Sequence, residues 1–252
     1  MSSRSEREII ATDQTDMYDN WHKMNTRFHH VFNCPNTAYY RRVFDELVSK
    51  DVAGKRVLEI GCGDGAYSEK MLSFGAAYVH GTDISSKRIA GAKSMEIAGR
   101  LEYSVADVSQ PTDEVFDLIV GRAVLHHLDY REVLQRLYTH NLSDKGVMIF
   151  WEPLGSNLLI RAYGVFGKGV HTPDERPFYR KDLRWLGETF HDFRIMPVNY
   201  TSLPLGIVSS FIFRNPDNIL LRGADRFDRL VARGAKFLHA NFRNAVFIIR
   251  KS

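Results

Sequence analysis

Val57-Leu58-Glu59-Ile60-Gly61-Cys62-Gly63-Asp64-Gly65 is an apolar run, interrupted by one acid, that passes into three glycines at alternate positions. Val57 to Ile60 has the length and β-branched content of a short buried strand. The glycines that follow have no Cβ, so the backbone there can turn sharply and come close to a ligand. A helical pattern runs from Ala66 to Phe74. A ligand would therefore sit at the carboxyl end of a strand and against a helix N-terminus, where open parallel sheets bind nucleotides. The spacing is G-x-G-x-G, not the G-x-G-x-x-G that brings a pyrophosphate to the helix. Glu59, two residues before the loop, would repel a diphosphate and attract the ammonium end of a zwitterion.

Outward from this stretch, Tyr78 to Asp83 reads as a second strand closing on an acid. Asp83 lies 24 residues past Glu59, about where α/β nucleotide sites keep a carboxylate for ribose hydroxyls. N-capping of the next helix, ahead of Ser85 and Ser86, is the alternative role for it. A third strand over Leu101 to Val105 leads into Ala106-Asp107-Val108, and a fourth over Phe116 to Val120 leads into Gly121-Arg122-Ala123-Val124-Leu125-His126-His127-Leu128.

In this order the motifs resemble those of class I S-adenosylmethionine-dependent methyltransferases, closely over residues 40 to 152 and loosely at the ends. The resemblance implies a Rossmann-like α/β fold: a seven-stranded, mostly parallel sheet whose last strand is antiparallel, with helices on both faces and cap insertions. It implies S-adenosylmethionine as cofactor, with Glu59 near its methionine end, Asp83 on the ribose and Asp107 on the adenine amino group. Gly61, Cys62, Gly63, Gly65, Ile84, Val108 and Arg122 would complete the binding site. The family's lead-in segment often folds over the cofactor, which would bring Tyr18 to the site.

The rest of the chain is organised around that core. Residues 1–35 form a polar lead-in anchored by Tyr18, Trp21, Phe28 and Phe32, and residues 36–252 form the main domain. Thr37 to Val48 carries apolar residues at helical spacing. A helix is expected around Arg131 to Asn141, then a turn at Asp144-Lys145-Gly146 into a fifth strand, Val147 to Trp151. Residues 153–181 read as a first cap insertion, with a short helix near 158–165 and the polar string His171-Thr172-Pro173-Asp174-Glu175-Arg176-Pro177. Beyond it come a helix over Arg180 to Phe190 and a sixth strand over Phe193 to Tyr200. A second insertion, 203–240, is apolar to Phe213 and basic and amphipathic from Leu220 to Phe237. Residues 244–250 supply the last strand.

Methyl transfer asks mainly for alignment and a dry site, with a base where the acceptor must lose a proton. His126 and His127 lie beyond the fourth strand and are the candidate bases, with Glu152 after the fifth strand as alternate. Adjacent side chains starting a helix diverge by roughly 100°, so one imidazole at most is expected to face the acceptor. A purely framework role for the pair is equally open. His22, His29, His30 and His171 belong to segments that could fold over the pocket. No His/Cys cluster has zinc spacing, so no metal is expected.

Composition sets further bounds. The 252 residues are 44% hydrophobic, enough for one full core. The longest apolar runs fall short of the ~20 residues a membrane span needs, and the N-terminus has no apolar signal-peptide core. Two cysteines make no disulfide framework, which suits the cytoplasm. The charge of +4 is mild, and neither an RNA-binding module nor an Asn-Pro-Pro-Tyr-type signature follows the fourth strand. A small, partly hydrophobic metabolite, methylated on oxygen, is the expected acceptor, rather than nucleic acid. Carbon or nitrogen methylation of a natural product or a lipid or quinone precursor is the alternative, as is another reaction on this fold, such as a cyclisation. A binding module without chemistry is a further alternative. Leu203 to Phe213 suits either the acceptor or a homodimer contact.

Overall fold

The computed structural model describes residues 6, 7, 9, 26, 28–157 and 175–252. Tyr18, Trp21, His22, His171 and the helix expected at 158–165 lie outside the described residues.

Helix α1 spans Pro35–Val52, with Pro35 in its first turn, where the missing N–H costs nothing. Strand β1, Arg56–Ile60, leads through the glycine loop into α2, Ala66–Ser73. Strand β2, Tyr78–Asp83, is followed by α3, Ser86–Ala92, which Ser85 caps by accepting the Arg88 N–H. Next come β3, Leu101–Val105, and β4, Phe116–Arg122. A single turn at Leu125–His127 precedes α4, Tyr130–Arg136. Strand β5 is Leu142–Pro153, α5 is Arg180–Thr189 and β6 is Asp192–Val198. Two cap helices, α6 over Ser202–Ile212 and α7 over Ile219–Gly234, precede the final strand β7, Asn244–Arg250.

The sheet order is β3-β2-β1-β4-β5-β7-β6. Strands β1 to β5 pair in parallel, and β7 runs antiparallel to both β5 and β6. The one antiparallel strand is thus the last in the chain, wedged between two earlier ones. Period-two alternation builds the layers: Ala245, Phe247 and Ile249 of β7 face one core, with Leu134 of α4 and Leu186 of α5. Val246 and Ile248 face the other, with Phe44 and Val48 of α1 and Met71 of α2. Helices therefore cover both faces of the sheet.

The turn expected at Asp144-Lys145-Gly146 is absorbed into β5. The register against β4 shifts between Phe116 and Leu118, and Lys145 takes φ +62°, so the extra residues are accommodated as a bulge. The helix after β4 also ends early: α4 stops at Arg136, and Leu137–Asn141 continue as one wider turn.

A buried polar network fastens the cap helices to the core. Asn36 of α1 donates to Asp225 and accepts from the Asn199 N–H, and the Asn199 side chain donates to Thr37. Asp228 of α7 accepts from the backbone N–H groups of Tyr200, Thr201 and Ser202 and from the hydroxyls of Thr201 and Ser202. Upstream, Val31 and Phe32 cluster with Leu203 of α6. His30 bonds the Ser209 hydroxyl at 2.9 Å, so the end of the lead-in is packed against the cap.

Candidate active site

The strand order reverses between β1 and β4, and in open α/β sheets ligands bind at that point, outside the carboxyl ends of the strands. Two loops meet there: the glycine loop after β1 and the Ala123–Leu128 turn after β4. Gly61, Gly63 and Gly65 all take left-handed φ angles, which L side chains adopt only with strain. A Cβ on Gly65 would also lie 2.4 Å from the Tyr103 hydroxyl. That hydroxyl donates to the Gly65 carbonyl at 3.0 Å and so fixes the end of the loop.

Asp83 ties the second strand to this loop. One carboxylate oxygen accepts the Gly63 N–H at 2.9 Å and the other accepts the Ser85 N–H at 2.9 Å. The capping role open to Asp83 falls instead to the Ser85 hydroxyl. Ile84 is half-buried beside it. Asp107, at the end of β3, accepts the Ser109 N–H at 2.9 Å. With Val108 it borders a cleft of about 350 Å³ that runs beneath the β3–β4 connection. The Val108 carbonyl accepts from Arg136.

Glu59 is fully buried. It accepts the Ser68 hydroxyl at 2.5 Å, and the Arg122 guanidinium, lying over the Tyr67 ring, stands 3.7 Å away. Burial outweighs both and raises the carboxyl from its ordinary 4.5 to about 7. Neutral pH therefore leaves this group divided between its two protonation states. Burial together with the charges of Glu59 and Asp83 pushes the Cys62 thiol well up, so Cys62 lines the loop as an unreactive thiol.

Past β4, Ala123 takes φ +54° and its N–H donates to the Trp151 carbonyl. The turn that follows hangs from Glu152, which is completely buried. One oxygen of Glu152 accepts the N–H groups of Val124 and Leu125; the other accepts the His126 N–H and the His126 ring at Nδ1, 2.8 Å away. Both oxygens already accept backbone donors, and a carboxylate only accepts, so the Nδ1–Glu152 contact is a bond in which the ring donates. The rings of His126 and His127 do not diverge as expected; their centroids are 4.1 Å apart. The segment is one tight turn held from below, not the start of an α-helix, so the 100° spacing does not apply.

Glu175, which in the sequence is one residue of a polar string, belongs to this group. Its carboxylate lies 4.0 Å from His127 Nε2. The next residue donates its backbone N–H to the His126 carbonyl at 2.7 Å, and Phe178 bridges to Leu154 at the end of β5. His126, His127 and Glu175 each bring a ligand-type atom within 4.8 Å of the others. No spacing rule could have found this, because 48 residues separate His127 from Glu175. His30 is occupied in the cap, away from this cluster.

Comparison with known proteins agrees with this geometry. A family model described as "Methyltransferase domain" matches residues 28–191. A ubiquinone biosynthesis O-methyltransferase of Neisseria meningitidis is 27% identical over 113 residues, covering 42% of this chain and 47% of the relative. The chain thus aligns with about half the length of that curated relative. Among solved structures, the N-methyltransferase NodS of Bradyrhizobium japonicum, in complex with S-adenosyl-L-homocysteine, superposes with a TM-score of 0.54 at 17% identity, covering 87% of this chain and 89% of NodS. Phosphoethanolamine N-methyltransferase 2 of Haemonchus contortus, in complex with S-adenosyl-L-methionine, gives 0.62 at 17% identity, covering 100% of this chain and 60% of that one. At these identities the likeness is one of fold.

Proposed function

This chain belongs to the methyltransferase-domain family, and we propose that it transfers a methyl group from S-adenosylmethionine to the oxygen of a small, partly hydrophobic acceptor. The observation that carries the reading is the placement, on neighbouring strand ends, of an acid-and-glycine cradle and a carboxylate-anchored imidazole. S-adenosylmethionine brings a methyl group already activated on a sulfonium. The cradle fits it: Glu59 and Arg122 suit the two charged ends of an amino acid, three left-handed glycines leave room for close approach, and Asp83, Ile84, Asp107 and Val108 line the way to a ribose and a base. The name of the Neisseria relative favours oxygen as the acceptor atom.

Within this reading His126 is the base. Its imidazole would take the proton that the acceptor's hydroxyl must lose, and S-adenosylmethionine, held by the cradle, would supply the methyl group. Glu152 gives nothing to the acceptor; it is a positioning residue that fixes the His126 tautomer and holds the turn. His127 and Glu175 flank the acceptor. The acceptor is a metabolite and not nucleic acid, and the protein works in the cytoplasm. Residues 36–252 act as one domain whose two insertions form the acceptor side. No helix among the described residues is long and apolar enough to cross a membrane.

The test is transfer of an isotopically labelled methyl group to a panel of phenols, hydroxy acids and amines, with mass spectrometry locating the methylated atom. Label on nitrogen or carbon would overturn the oxygen assignment, and no transfer to any acceptor would overturn methyl transfer. Asp83→Ala removes the proposed ribose acceptor and frees the Gly63 N–H. Hydrogen bonds to a charged group are worth ~1.5–3 kcal/mol, so calorimetry should read a ten- to hundredfold weaker S-adenosylmethionine affinity, roughly. An unchanged affinity would remove Asp83 from the site.

Glu59 makes that affinity pH-dependent. Its carboxyl, raised to about 7, must ionise to hold an ammonium group. Affinity should therefore rise with pH by a factor approaching about ten per unit below that value and level off above it. For the unliganded protein the sign is opposite: a raised carboxyl pKa costs folding stability as pH climbs from the ordinary value through 7. Titrations in two buffers of different ionisation enthalpy should show a proton released on binding near pH 6. Glu59→Gln should abolish both the release and the pH dependence.

A further inference from the structure

Seven of the twelve large hydrophobic side chains that stand exposed among the described residues fall between 208 and 237, on the two cap helices and the turn after them. Scattered exposed apolar residues are ordinary, but a concentration of this kind marks a contact surface. Phe211 is 86% exposed, Ile219 82% and Phe237 71%. On α7 the outward positions are Ile219, Arg222, Arg226, Phe227, Leu230 and Arg233. Steps of three and four carry Ile219, Arg222, Arg226, Leu230 and Arg233 along one stripe of the helix, with Phe227 at its edge.

The charges on this surface are sorted by sign. Both acids of α7 point inward: Asp225 is bonded to Asn36 and paired with Arg229, and Asp228 is the acceptor for the 200–202 backbone. The outward side keeps Arg222, Arg226 and Arg233, with Arg214 and Lys236 at its ends; Asp217, the single exposed acid from 208 to 237, holds Arg222 in a two-bond ion pair. A groove of about 500 Å³ lies between Asp217, Ile219, Arg222 and Arg226. Here arginines and bulky apolar groups alternate along one stripe, as in helices that lie in the headgroup layer of a bilayer with their guanidinium groups at phosphate level.

From this we infer that the outer face of α6 and α7 docks on an anionic phospholipid bilayer, with Phe227, Leu230 and their neighbours entering the headgroup boundary, Arg226 and Arg233 pairing with lipid phosphate, and Arg222 able to exchange Asp217 for a phosphate. The helices lie on the membrane and do not enter it further, since neither is long and apolar enough to span. The docking is independent of the methyl-transfer reading. It would let the protein take a lipophilic acceptor from the bilayer.

Sedimentation of the full-length protein with vesicles tests this. Vesicles of phosphatidylcholine with about a third phosphatidylglycerol should carry the protein down, and pure phosphatidylcholine should not. Each cation near such a surface is worth about a factor of five in partitioning, so Arg222→Glu, Arg226→Glu and Arg233→Glu together should weaken binding by at least about a hundredfold. Phe227→Ser with Leu230→Ser should weaken it as well, while S-adenosylmethionine affinity, measured on the same samples, shows that both variants remain folded. Binding to both vesicle types alike, binding to neither, or binding that survives the charge reversals would each overturn the proposal. A dimer dispersed by the same substitutions, with no vesicle binding, would overturn it and make the face a contact between two copies of the chain. Loss of methyl transfer in the wild-type protein with vesicle binding intact would count against the proposed reaction alone.

Discussion

His126→Ala is expected to lower methyl transfer about 10²–10⁴-fold, the usual worth of a positioned base, while S-adenosylmethionine affinity stays within error of the unaltered protein. The split follows from the geometry. The proposed cofactor cradle draws on β1, β2 and β3 and on Arg122 at the end of β4, whereas the His126 ring is held by Glu152 at the end of β5. Removing the imidazole takes the proton acceptor from the acceptor side and leaves the glycine loop untouched. Added imidazole should restore part of the lost rate. Glu152→Gln should also slow turnover, because an amide cannot accept at both ends and the turn would lose one of its anchors. His127→Ala is the control with the sharpest meaning. A larger loss there than at His126 would move the base role to the His127–Glu175 pair, and near-full turnover in both variants would mean that alignment alone carries the reaction.

Asp228→Ala is expected to cost about 3–5 kcal/mol of stability, the range for breaking a buried, charge-assisted network by removing one partner. Three backbone N–H groups and two hydroxyls converge on this carboxylate, and an alanine would leave all five donors facing a void. Urea unfolding should show a lower midpoint with an unchanged slope. Asp228→Asn keeps one acceptor oxygen and should lose less. A loss under about 1 kcal/mol in the alanine variant would mean that water or a shifted backbone replaces the carboxylate.

How much of this could be read from the chain depends on how local each signal is. Strands β2, β3 and β7 fall at the residues their patterns indicate, since apolar alternation and flanking turns are properties of a few consecutive side chains. The glycine loop is legible for the same reason: three residues without Cβ directly after a strand leave few other backbone paths. Lys145 shows the limit of turn chemistry. Asp-Lys-Gly favours a reversal, but the pairing of β5 with β4 and β7 rewards continued extension, and the conflict is resolved by a left-handed Lys145 within the strand. The candidate cluster is legible only in its local part. The two histidines announce themselves, but Glu152 looked like a possible base until its oxygens were found holding four N–H donors, and Glu175 reaches the imidazoles only through the folding of the cap. Asn36 meets Asn199 and Asp225 across more than 160 positions, and Asp228 reaches back 26 to 28 residues to the 200–202 backbone; a lone Asn or Asp in a helix gives no sign of such partners.

The wedging of β7 between β5 and β6 governs when the molecule can finish folding. After β1, every strand finds a neighbour among strands made earlier, except β6, whose sole partner is β7. While the chain is still being synthesised, β5 presents an open edge and β6 has nothing to pair with, since open edges invite pairing with other chains. The sheet closes only once Asn244–Arg250 has left the ribosome, which makes a nascent chain stalled before Asn244 a natural client for chaperones.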